Sequence, residues 1–131
     1  MPEGGSLGIG VLGRLGPSDV EIAARGGRVR LTGVSKRYGR VEAVRDLTLD
    51  VAVGEFVTLL GTSGSGKTTT LMMVAGHELP DAGEIAIDDR DVTHLPAHRR
   101  DIGMVLQHLA LFPHFSVAAN VAFLLRMRAT L

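Results

Sequence analysis

From residue 28 onward, hydrophobic and polar positions alternate in short, well-marked runs. Val29, Leu31 and Val34 fall near strand spacing, and Leu47, Leu49, Val51 and Val53 alternate strictly before Gly54 closes the run, the pattern of half-buried strands. Two such strands so close together predict a small antiparallel layer. The next run, FVTLL at residues 56–60, is apolar on both faces and bounded by Gly61, which predicts a strand buried on both sides in a parallel sheet. Residues 67–77 contain no proline and end at a glycine-containing turn, so they read as a helix.

Further along, Pro80, Asp81 and Gly83 mark a turn into a strand over residues 84–87. Asp88, Asp89 and Asp91 with Arg90 read as a solvated turn. Pro96 and the polar cluster of His98, Arg99, Arg100 and Asp101 read as a solvated surface loop before a strand over residues 102–106. His94 and His98 are four apart, but Pro96 between them breaks the helix that would make them a metal pair. After a loop carrying Phe112, Pro113 and His114, Ser116 is placed to cap a helix through Val117, Val121, Leu124 and Leu125. Eight of the seventeen glycines fall in the first 27 residues, where the apolar residues have no period. Residues 1–27 therefore read as a flexible glycine-rich leader, and residues 28–131 as one domain.

Composition narrows the chemistry. Fourteen basic against fourteen acidic residues give a formal net charge of zero, which supplies no general attraction to nucleic acid, and nucleic acid is not an expected partner. Without cysteine, disulfides, thiolate metal sites and thiol catalysis are excluded, and a cytosolic setting is expected. No apolar stretch approaches the roughly 20 residues that a bilayer crossing needs, and the first residues, with no basic start and no continuous apolar run, are not expected to be a secretory signal.

The sharpest signal is Gly61-Thr62-Ser63-Gly64-Ser65-Gly66-Lys67-Thr68, which fits G-x-x-x-x-G-K-[ST], a phosphate-binding loop between a strand and a helix. Such a loop turns several backbone N–H groups onto phosphate oxygens, and glycine at 64 and 66 keeps that concave backbone open. The helix that follows adds its positive end. Lys67 is placed to reach the β- and γ-phosphates and the Thr68 hydroxyl to ligate Mg2+. Four fixed positions match by accident in a chain this size on the order of once in a hundred.

With these residues in view, positions 29–127 resemble the first part of the ATP-binding subunit of ABC transporters, most of all importer ATPases of the spermidine/putrescine type. The resemblance rests on LTGVSKRYG at 31–39, on TLLG at 58–61 running through the loop into KTTTLMMVAG at 67–76, and on DVTHLPAHRRDIGMV at 91–105. Gln107 and ALFPH at 110–114 extend it. It implies an α/β fold of the P-loop NTPase class and ABC ATPase type, with a small antiparallel β layer beside a partial parallel sheet. By the same resemblance Tyr38 is the aromatic that stacks on adenine, an interaction worth roughly 1 to 3 kcal/mol. The alternative for Tyr38 is a strand-end tyrosine with a buried ring. Gln107 matches the glutamine that reaches Mg2+ and the attacking water, its alternative being a polar strand end. The implied nucleotide contacts are Tyr38, Val44, Gly61, Thr62, Ser63, Gly64, Ser65, Gly66, Lys67, Thr68 and Thr69, with Lys67 and Gln107 catalytic and Thr68 and Gln107 on the metal.

The implied cofactors are ATP and Mg2+. The implied partners are integral-membrane permease subunits and a second ATP-binding subunit, at the inner face of the plasma membrane. Thr62 stands where proline is frequent, and Leu106, His108 and Leu109 replace the residues usual around the glutamine. The 131 residues contain no Leu-Ser-Gly-Gly-Gln signature, no second carboxylate strand ending in Asp-Glu and no switch histidine, so the ATPase domain reads as incomplete. Binding without turnover, and a poorly covered apolar strand at 56–60, are the expectations for the chain alone. Two alternatives stand beside the transporter reading. One is a catalytically dead nucleotide-binding regulator. The other is a different phosphate-loop enzyme, disfavoured because no Asn-Lys-x-Asp guanine motif is present.

Overall fold

A computed structural model of the chain describes residues 10–15, 27–108 and 110–129. Its strands are β1 (Gly10–Leu15), β2 (Val29–Tyr38), β3 (Val41–Val51), β4 (Phe56–Leu60), β5 (Ala82–Ile87) and β6 (Arg90–Asp91). Its helices are α1 (Lys67–Ala75) and α2 (Val117–Ala129), with a short 3-10 turn at Ala97–Arg99.

The alternation read in the sequence becomes a four-stranded antiparallel sheet of order β3-β2-β5-β6. β2 and β3 form a hairpin in which Tyr38 pairs with Val41, and Gly39 takes φ 61° in the two-residue turn between them, a backbone region that glycine enters without penalty. One face of this sheet carries the core: Leu31, Val34, Val44 and Ile85 from the strands, Val92 beyond β6, and Met73 from α1. Leu31, Met73 and Ile85 are almost fully enclosed, each contributing roughly 1.5–3 kcal/mol by leaving water. α1 ends where Gly76 enters the left-handed region at φ 88°, its N–H closing back on the helix carbonyls. At α2 the Ser116 hydroxyl accepts from the Ala119 N–H at 3.1 Å, the expected cap.

Four expectations need correction. β4 lies in no parallel sheet among the described residues: it pairs antiparallel with β1, from Gly10 opposite Leu60 to Leu15 opposite Phe56. With β1 its one paired strand among the described residues, it is half covered, and Phe56 and Leu60 stay 57% and 54% exposed. Second, β1 falls inside the stretch read as a flexible leader, which is therefore strand at residues 10–15; the rest of positions 1–26 lies outside the described residues. Third, residues 102–106 form no strand. An alternating apolar run pairs only where a sheet edge is offered, and this one lies across an open cleft from β4. Finally, Arg100 is not on a solvated loop but buried under α1.

The acidic turn holds as read. Asp88 and Asp89 take left-handed conformations between β5 and β6. No helix among the described residues is long and apolar enough to cross a membrane.

Candidate functional site

β4 delivers the chain at Leu60 into the loop Gly61 to Lys67, and α1 begins at once. The loop turns through a Ser65 N–H bond to the Thr62 carbonyl at 3.1 Å. Gly64 and Gly66 have φ 79° and 93°, but they are glycine for different reasons. A Cβ at Gly64 meets nothing within 4 Å, so there the backbone angle alone selects glycine. A Cβ at Gly66 would lie 2.1 Å from the Ala43 carbonyl oxygen, so the loop is pressed against β3 and no larger residue fits.

Gly66 is also the first residue before α1, and the helix start has no capping side chain and no acid in its first turn. Its positive end is thus left for an anion from outside. Thr70, buried, donates its hydroxyl to the Gly66 carbonyl at 2.8 Å and locks the turn. The Lys67 ammonium folds back on the loop, donating to the carbonyls of Gly61 and, at 3.1 Å, Thr62, with Ser65 Oγ at 3.5 Å. A cation is therefore held at the loop, and an uncapped helix start with an ammonium and hydroxyls beside it suits a polyphosphate.

Beside it opens a cleft of about 750 Å³, within the size range of small-molecule sites. Lys67, Thr68 and Gln107 all line it, with Leu71, Met104 and Leu106 supplying apolar wall. The two segments expected to share one metal, forty residues apart in sequence, are thus brought to one cavity. Thr68 is exposed and Thr69 half buried. Thr62 and Ser63 are exposed, while Ser65 is buried at 4%.

Tyr38 does not line this cleft. It ends β2 with 45% of its surface exposed. The link to the loop runs through β3, because Gly66 abuts Ala43, two residues from the Val41 that pairs with Tyr38. At strand spacing that separation is about 7 Å. Val44 is 3% exposed, and its Cγ2 lies 3.1 Å from where a Gly66 Cβ would be. In this conformation it backs the loop from the core instead of offering a contact surface.

Two residues at the far end of α1 from the loop carry more than the sequence disclosed. Arg100 donates Nε to the Leu95 carbonyl at 2.7 Å, NH1 to the carbonyls of Met73 at 2.7 Å and Val74 at 3.1 Å, and NH2 to that of Thr93 at 3.2 Å. It closes the last turn of α1, and burial pulls its pKa below the usual value. Lys36 reaches the turn after α1 and the ring of Tyr38. Its one sequence signal is its place two residues before Tyr38 on the same strand; for Arg100 the neighbouring charges pointed to the surface.

A phosphate loop pressed on an antiparallel sheet, with a glutamine segment facing it across a cleft, defines an ATP-binding cassette, and the chain belongs to the ABC transporter family, whose model matches residues 44–131. Among individual relatives it is 53% identical over 102 residues to the spermidine/putrescine import ATP-binding protein PotA of Vibrio parahaemolyticus, covering 78% of this chain and 27% of that protein. The PotA protein of Salmonella typhimurium is 51% identical over 102 residues, again covering 78% and 27%. Among solved structures, a bacterial Atm1-family ABC exporter with ATP bound superposes with a TM-score of 0.62 at 26% identity, covering 78% of this chain and 18% of that one. The chain thus has the ABC ATPase fold in part, and it spans about a quarter of the length of the curated relatives it matches.

Proposed function

We propose that this chain binds ATP with Mg2+ as the nucleotide-binding part of an ABC importer whose solute is a polyamine. The observation that carries this reading is the meeting of Lys67, Thr68 and Gln107 on one cleft beside an uncapped helix start. In it, the N–H groups of the loop from Gly61 to Thr69 and the Lys67 ammonium hold the phosphates. Thr68 and Gln107 hold Mg2+, whose charge neutralises phosphate oxygens, and Tyr38 takes the adenine. Residues 28–131 form the ATP-binding domain, to which β1 adds a strand paired with β4. The relatives named as polyamine import ATP-binding proteins support the solute class. The partners are permease subunits of the inner membrane, which bring the chain to the cytoplasmic face, and a second ATP-binding subunit. The Asp-Glu strand that carries the family's general base is not among these 131 residues, so the chain alone is expected to bind nucleotide without releasing phosphate.

Isothermal titration of the chain with Mg-ATP, beside Lys67→Ala and Tyr38→Ala, tests the proposal. Lys67→Ala is expected to remove measurable ATP binding while leaving the far-UV circular dichroism near wild type. Tyr38→Ala is expected to weaken ATP more than inorganic tripolyphosphate. Unchanged ATP affinity in Lys67→Ala sinks the assignment, and a preference for GTP over ATP removes the reading of Tyr38 as an adenine platform.

A further inference from the structure

Tyr38 owes its orientation to very little of its own strand, because it ends β2 and is nearly half exposed. What holds it is a cation from below. The Lys36 ammonium lies 5.3 Å from the ring centroid, inside the roughly 6 Å over which the ring quadrupole attracts a positive charge. That ammonium is itself fixed by the turn that follows α1. It donates to the Leu79 carbonyl at 2.8 Å, with Glu78 Oε2 at 3.6 Å and Asp81 Oδ1 at 3.8 Å. Only 14% of the Lys36 side chain is exposed, so its charge is poorly screened by water.

The same turn grips the strand on both sides of Lys36. Asp81 donates its N–H to the Ser35 carbonyl at 2.8 Å, and its carboxylate accepts the Arg37 N–H at 2.7 Å. At the other end of α1 stands the phosphate loop. The aromatic and the loop are therefore braced against opposite ends of a single helix, with Lys36 as the connection at the aromatic end.

We infer that Lys36 is a positioning residue for base recognition: its ammonium, tethered to the turn at 78–81, holds one face of the Tyr38 ring and presents the other to the purine. The inference rests on the reading of Tyr38 as the adenine platform. Lys36 touches neither base nor phosphate. Its loss therefore weakens ligands that carry a base and spares those that carry only phosphates.

The chain has one tyrosine and no tryptophan, so the tyrosine band of its near-UV circular dichroism reports Tyr38 alone. Mg-ATP and inorganic tripolyphosphate are titrated side by side into wild type, Tyr38→Ala, Lys36→Met, Lys36→Gln and Lys36→Arg. Lys36→Met is expected to weaken ATP about fivefold, with tripolyphosphate changed by less than about twofold and the tyrosine band reduced, on the scale of a partly desolvated cation–π contact. Lys36→Arg, which keeps a cation that can stack on the ring, restores both. If Lys36→Met loses its far-UV signal, Lys36→Gln decides, since its amide can still donate to the Leu79 carbonyl and only the charge is gone.

Unchanged ATP affinity and tyrosine band in these variants, with Tyr38→Ala weakened, overturn the role of Lys36 and leave the platform standing. Equal losses for ATP and tripolyphosphate also overturn it, because Lys36 then acts through the fold as a whole. No effect of Tyr38→Ala on ATP removes the platform reading itself.

Discussion

Arg100→Met isolates one buried guanidinium and asks what the P-loop helix rests on. Methionine keeps an apolar stem of similar length, so packing changes little and the loss is that of the charged fork. Four hydrogen bonds disappear, to the carbonyls of Leu95, Met73, Val74 and Thr93. Bonds from a charged donor are worth roughly 1.5–3 kcal/mol each, and a carbonyl left bare in the interior costs roughly 1–3 kcal/mol. Against this stands the cost of burying the cation, visible in its lowered pKa. The balance is a loss of about 3 kcal/mol of unfolding free energy, of which Arg100→Lys, keeping the charge but not the planar fork, loses about half. Urea denaturation followed by far-UV circular dichroism measures it. With a slope of about 1.5 kcal/mol per molar for a domain of this size, the midpoint falls by about 2 M. A loss under about 1 kcal/mol for Arg100→Met, or none for Arg100→Lys, refutes the account of Arg100 as the clamp on the end of α1.

The two loop glycines are expected to separate. Gly66→Ala drives a Cβ to 2.1 Å from the Ala43 carbonyl and is expected to abolish ATP binding and lower the melting temperature. Gly64→Ala meets open space and is expected to cost only the left-handed backbone penalty of about 1 kcal/mol, so equal damage by calorimetry contradicts the contact with β3. Asp91 accepts from the Thr93 hydroxyl at 2.6 Å and the Thr93 N–H at 2.9 Å, and these bonds hold its carboxyl below the ordinary 3.8. Its contribution to stability is thus complete above the unfolded-state value near 4 and lost as pH falls through the lower folded value. Acid unfolding of Asp91→Asn should lose that part of the pH dependence, and a curve parallel to wild type counts against it.

How much of this was legible in the sequence follows from how local each determinant is. The antiparallel layer was legible because a period of two, closed by glycine, describes a strand with one face on a core, and Leu47 and Leu49 do pack on one, although β3 begins earlier, at Val41, and ends at Val51 with Val53 beyond it and exposed. The backbone of the loop at 61–67 was legible because its glycine spacing states its own requirement, and Gly64 and Gly66 do take left-handed angles between β4 and α1. β4 misled because apolarity on both faces says that both faces suit burial, not which strand will cover them. Residues 102–106 misled similarly, since a run fit for a strand needs an edge to pair with. Arg100 was illegible for a third reason. Adjacent charges at 98–101 pointed to water, and the carbonyls that receive its guanidinium come from Met73 and Val74, more than twenty residues away.

These misreadings bear on what supports the site. The sequence suggests that the loop is carried by a buried β4, with the antiparallel layer as an accessory. In the structure β4 merely leads the chain into the loop, while its own faces stay half exposed. The fixed contacts come from the antiparallel side. Gly66 bears on Ala43 of β3, and Met73 of α1 is buried in the core with Leu31 and Ile85 of the antiparallel sheet. Arg100 ties the last carbonyls of α1 to Thr93 and Leu95, and Lys36 and Asp81 tie the next turn to β2. A helix held at both ends against one sheet fixes its first turn in space. The first turn of α1, where the phosphate site is proposed, therefore takes its geometry from β2, β3 and β5.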